Sequence, residues 1–106
     1  MINKFKKIVI KIGSSSIVNE RTKIIKTKWL RAICRDIASL HSTKKIIVVC
    51  SGAIALGSKF INEKKPIRRL EDKQAAAAVG QIMLANHWQQ SLKKNKINTA
   101  QLLLTL

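Results

Sequence analysis

Apolar residues fall into two short continuous runs and two longer periodic stretches, and that pattern already suggests the order of elements. Phe5 to Ile12 is mostly apolar and predicts a first strand covered on both faces. Ile17-Val18-Asn19-Glu20-Arg21 is polar enough to predict a surface excursion. Thr27 is the expected N-cap of a helix running to about His41, because Leu30, Ile33, Cys34, Ile37 and Leu40 recur at three and four. Arg31, Arg35 and Asp36 fall off that stripe, and Ser42-Thr43-Lys44 closes the helix. Ile46-Ile47-Val48-Val49-Cys50 is a nearly unbroken β-branched run and predicts a second strand buried on both sides. Strand, helix and strand in this order make a βαβ unit, with parallel strands and a right-handed crossover.

The second half reads as helical. Ala53-Ile54-Ala55-Leu56-Gly57 starts a short helix, and Pro66 with Arg68-Arg69 marks a surface connection. A long helix runs from about Leu70 to Lys93-Lys94, with Glu71 and Asp72 in its first turn and lysines at its end, as the helix dipole favours. Ala75 to Ala78 form a small, smooth face that permits close approach, extended by Gly80. Thr99 to Thr105 predicts a third strand, which stops where the chain stops. Three parallel strands leave two edges to be covered. The expected fold is therefore α/β, and it looks like a portion of a larger sheet.

Candidate chemistry sits where the two apolar runs end. After the first come Lys11-Ile12-Gly13-Ser14-Ser15-Ser16, which set a cation, a glycine and hydroxyls at a strand end. Such a loop can bring backbone N–H groups close to an anion, with the lysine as a point charge beside them. Alone, K-x-G-S-S reads equally well as a strand followed by a polar turn. Ser51-Gly52-Ala53 repeats the arrangement after the second strand and opens a helix, and this favours the anion site. Both loops are expected at the carboxyl ends of parallel strands, where open α/β sheets bind ligands. His41 and His87 have no acidic or cysteine neighbour in sequence that suggests a triad or a metal, so no metal site is assigned.

Composition adds bounds. The chain of 106 residues is 46% hydrophobic, enough for one small core. No apolar run is long enough to span a membrane, and the N-terminal run is too short for a signal peptide. Cys34 and Cys50 form no metal spacing or disulfide framework, so reduced thiols and a cytoplasmic location are expected. The net charge of +16 invites a second reading, a small basic protein that binds nucleic acid or another polyanion. Against it, the lysines are scattered and aromatic residues that could stack on bases are scarce, so nucleic acid is not the expected partner.

Three segments together resemble the glutamate 5-kinases of the amino acid kinase family. They are Val9-Ile10-Lys11-Ile12-Gly13-Ser14-Ser15, Ser51-Gly52-Ala53-Ile54-Ala55-Leu56-Gly57, and Asp72-Lys73-Gln74-Ala75-Ala76-Ala77-Ala78-Val79-Gly80-Gln81, with Gln101-Leu102-Leu103-Leu104-Thr105 following in the right order. The resemblance implies a three-layer αβα sandwich with a mainly parallel sheet, of which residues 1–106 would be the N-terminal βαβ-α-β portion, an incomplete domain. It implies transfer of the ATP γ-phosphoryl group to the side-chain carboxylate of L-glutamate, with Mg²⁺, as the first step of proline biosynthesis. Lys11 matches the catalytic lysine that contacts the nucleotide phosphates, Gly13 and Ser14 the ATP-binding loop, and Ser51, Gly52 and Ala53 the glutamate-binding loop. Cys50 stands where the family commonly has a hydroxyl residue. The family's downstream catalytic and adenine-binding segments have no counterpart after Leu106, so the chain is expected to be a fragment, inactive alone, from a parent that is a homo-oligomer.

Overall fold

In the computed structural model, residues 6–61 and 69–101 are described. Two parallel strands, β1 (Lys7–Ile12) and β2 (Lys45–Cys50), pair in simple register, with Lys11 opposite Val49 and Ile12 opposite Cys50. Between them run a single helical turn, α1 (Ser14–Ile17), and the crossover helix α2 (Thr27–His41). After β2 come α3 (Ala53–Ile61) and α4 (Leu70–Lys93). The βαβ unit and the long helix agree with the sequence pattern. The proposed third strand falls largely on residues outside those described, and 97–101 hold no regular structure.

One side of the sheet carries the core. Ile10, Ile12, Ile46 and Val48 pack with Leu30, Cys34 and Ile37 of α2, Leu56 of α3, and Leu84, Trp88 and Leu92 of α4. The other side is open: Val9 is 64% exposed, Ile47 59% and Val49 46%. This corrects the expectation that both strands are covered on both faces. A continuous apolar run predicts that both faces avoid water, and among the described residues only one face is covered. The described residues therefore form an α/β arrangement of two layers, helices on one face of a parallel pair, rather than three.

Two local corrections follow. Ile17 and Val18, read as part of a surface excursion, are 0% and 1% exposed and anchor the core. Only Asn19 to Ile24 lie on the surface, closed by a bridge between Val18 and Ile25 and by Asn19 Oδ1 accepting from the Arg21 and Thr22 N–H groups. Five residues with three polar members look like a loop; the two apolar ones are the part that folds in. Thr27 is the first residue of α2 rather than its cap: Lys26 holds the cap position, and the Thr27 hydroxyl donates to the Ile25 carbonyl instead.

The helices α3 and α4 cross with their backbones in contact. A Cβ placed on Gly57 would coincide with the Ala76 carbonyl oxygen, and one on Gly80 with the Ala53 carbonyl oxygen. Ala76 is buried whereas Ala75 and Ala78 are exposed, so the smooth face expected from the alanine run narrows to Ala76 and Gly80. Glycine at both crossing points removes the side-chain layer that normally keeps helix axes 8–10 Å apart.

Candidate active site

Both loops stand at the same end of the sheet. Pairing of Ile12 with Cys50 brings their first residues side by side, and the Ser51 N–H donates to the Ile12 carbonyl at 3.0 Å. Gly13 leaves β1 in extended conformation and caps α1, its carbonyl accepting from the Ser16 N–H at 3.1 Å. The N–H groups of Ser14 and Ser15, opening a helix, have no intrahelical acceptor. Gly52 precedes α3, its carbonyl accepting from the Leu56 N–H at 3.0 Å.

The second loop rests on the first. Gly52 has φ +116°, and a Cβ there would lie 3.1 Å from Val18 Cγ2, 3.4 Å from Ile17 Cγ2 and 3.7 Å from Ser14 Cα. The buried Ile17-Val18 pair is thus the seat on which the Ser51-Gly52 turn sits. Sequence reasoning missed those two residues, and their apolar character inside a polar stretch was the available signal. Gly13, Ser14, Ser51, Gly52 and Ala53 are brought together, with Ser14 and Ser51 exposed. Lys11 stands one residue before the strand end. Alternation along β1 puts it on the open sheet face with Lys7 and Val9, opposite the face of Ile10 and Ile12. Its ammonium makes no ion pair or hydrogen bond among the described residues.

Behind the second loop, Cys50 is half-buried and its thiol donates to the Ser51 carbonyl at 3.2 Å. Burial raises the pKa of this thiol above its ordinary value, and the indole N–H of Trp88, which faces it from α4, opposes part of that rise. The indole nitrogen is itself buried and forms no hydrogen bond of good geometry among the described residues. Cys34 lies on the buried face of α2, where burial pushes its thiol up to about 11, and it acts as a packing residue. An open hollow of about 470 Å³ is lined by Ser15, Asn19, Glu20, Arg21 and Lys26. Lys26 there donates to the Ser15 carbonyl at 2.8 Å and so holds α1 in place.

No three His, Cys, Asp or Glu side chains gather into a metal-binding group among the described residues. Nor is any described helix long and apolar enough to cross a membrane. Chemically, the two loops offer serine hydroxyls and helix-opening N–H groups side by side at one end of the sheet, donors suited to anions, with Lys11 one residue before the end of β1 on the open face.

Residues 6–106 match the sequence pattern of the amino acid kinase family. Among curated proteins, the chain is 49% identical over 106 residues to a glutamate 5-kinase of Allorhizobium ampelinum, covering 99% of the chain and 27% of that enzyme. It is 47% identical to the glutamate 5-kinase of Sinorhizobium fredii over the same shares. With that of Paramagnetospirillum magneticum it shares 44% identity over 102 residues, 95% of the chain and 27% of the relative. The chain thus spans about 27% of the length of the curated relatives it matches.

Proposed function

Since the chain belongs to the amino acid kinase family, we propose that it carries the phosphate-binding and carboxylate-binding loops of an ATP-dependent kinase acting on the side-chain carboxylate of L-glutamate. Residues 1–106 would form the N-terminal part of that kinase domain, within the three-layer sandwich of the complete enzyme. In this reading the Gly13-Ser14 loop receives the nucleotide phosphates through backbone N–H groups, and Lys11 offsets charge gathering on the transferred phosphoryl oxygens. The Ser51 hydroxyl and the N–H groups of Gly52 and Ala53 hold glutamate. A glutamate carboxylate oxygen forms the new bond to the γ-phosphorus as the bond to the ADP oxygen breaks, leaving an acyl phosphate and ADP. A free carboxyl of pKa about 4.3 is already ionised at neutral pH, so no general base is required. That accounts for a site built of donors and one cation, without a histidine.

The two loops supply no carboxylate that would ligate Mg²⁺. The metal would arrive as the counter-ion of the nucleotide, since Mg²⁺ is commonly held by substrate phosphates with few protein ligands. Self-association of the complete enzyme would use the exposed stripe of Ala75, Ala78, Val79 and Ile82 on α4, which sedimentation tests.

One observation supports the reading: Gly52 packs against Ser14, Ile17 and Val18, so the two donor loops lie side by side at one end of the sheet. The test is glutamyl hydroxamate formation by the chain alone and by a chimera completing it with the remainder of the A. ampelinum enzyme. Turnover is expected in the chimera and not in the chain alone. Lys11→Ala in the chimera should lower kcat by about 100-fold or more while the KM for glutamate changes little, as expected for a group acting on the transition state. A kcat within about threefold of the parent chimera would refute the assignment of Lys11.

A further inference from the structure

We propose that Cys50 and Trp88 are positioning residues, which together hold the Ser51–Gly52 peptide so that the Gly52 N–H faces the substrate carboxylate. The inference rests on the reading of Ser51-Gly52-Ala53 as the glutamate loop and adds how that loop is aimed.

A trans peptide is planar, and its C=O and N–H point in opposite directions. No cis peptide occurs among the described residues. The Ser51 carbonyl turns back toward the Cys50 thiol, which donates to it at 3.2 Å. Cys50 itself packs on the helix-covered side of the sheet, against the cluster that includes Trp88. The N–H of Gly52, in the same peptide plane, therefore points away from the Cys50 thiol, at a residue that is buried where the second loop rests on the first. It has no protein acceptor among the described residues. The glycine φ of +116° lets the chain turn into α3 without rotating that plane back.

Trp88 supplies the other half of the device. It is only 8% exposed, yet its indole N–H is left without a hydrogen bond of good geometry. A buried donor without an acceptor is costly, so its place in the cluster against which Cys50 packs calls for an explanation. Sulfur accepts weakly and over a broad range of angles, so the indole can bias the thiol without a tight bond. The thiol in turn donates its hydrogen bond to the Ser51 carbonyl. The order indole N–H, thiol, carbonyl runs from α4 to the substrate loop.

The experiment uses the full 106-residue chain and the residual dipolar coupling of the Gly52 N–H, which reports peptide orientation independently of activity. Cys50→Ser, whose hydroxyl can accept from Trp88 and donate to Ser51, should keep the wild-type coupling. Cys50→Ala should shift it while the Leu30 and Leu84 amides keep theirs. Trp88→Phe, which removes the indole N–H, should shift it in the same direction; an unchanged value there would remove Trp88 from the assignment. An unchanged coupling in Cys50→Ala would overturn the proposal.

In a glutamate titration followed at the Gly52 amide, Cys50→Ala should weaken binding by about tenfold, with Cys50→Ser within about twofold of wild type, because a hydrogen bond to an ionised group is at stake. Equal losses in the two variants would mark a packing role and overturn it. If the coupling answers to Cys50 but glutamate leaves the wild-type amide unmoved, the glutamate reading fails while the aiming of the peptide stands.

Discussion

The two loops share one order of parts, strand end, hydroxyl, glycine and helix start, yet they use the glycine in opposite ways. Gly13 is extended, with φ −76°, and an added Cβ there meets nothing within 4 Å. Gly52 is left-handed, with φ +116°, and is pressed onto Val18, Ile17 and Ser14. The first loop leads into a helix of four residues, the second into one of nine that is locked against α4. The lesson is a division of labour. The first loop keeps free space in front of its backbone, so its glycine answers to what binds there. The second is a fixed mount, and its glycine answers to the fold.

The largest test removes the support under the mount. Gly80→Ala drives a methyl into the Ala53 carbonyl and should destabilise the chain by about 3 kcal/mol or more, read from the denaturation midpoint, as overpacking against backbone cannot relax by a rotamer change. Next comes Gly52→Ala, which should cost about 1–3 kcal/mol from the left-handed backbone alone, and calorimetry should show it. Smallest for stability is Gly13→Ala, expected within about 0.5 kcal/mol of wild type. In the chimera the same substitution should raise the KM for ATP by about fivefold or more, since a Cβ occupies the space through which a phosphate approaches the backbone. A Gly13→Ala chain as destabilised as Gly52→Ala would erase the contrast between the loops.

Much of this arrangement was legible in the sequence, for reasons that differ by residue. Ile46 to Cys50 and Ile8 to Ile12 announce strands because β-branched runs of this length have few other uses. Lys11, Gly13, Ser51 and Gly52 stood out because polar and small residues interrupt apolar runs at equivalent points. What escaped was tertiary in origin. A run such as Val9-Ile10 cannot say which face has its cover among the residues present. Ile17 and Val18 hinted at burial only by being apolar in a polar stretch; that Gly52, more than thirty positions later in the chain, sits on them is not written in that local pattern. That Cys50 packs against the cluster containing Trp88 depends on how α4 returns over the sheet. The alanine run foretold close approach, but only packing shows that Ala76 and Gly80 make it.

Where backbone rests directly on backbone, there is no cushion of flexible side chains to take up a small displacement. Gly80 bears on the carbonyl of Ala53, so a tilt of the 24-residue α4 arrives undamped at the residue that follows the Ser51–Gly52 turn. The longest helix of the chain thereby acts as a keel, and the alignment of the pocket is only as steady as its seating.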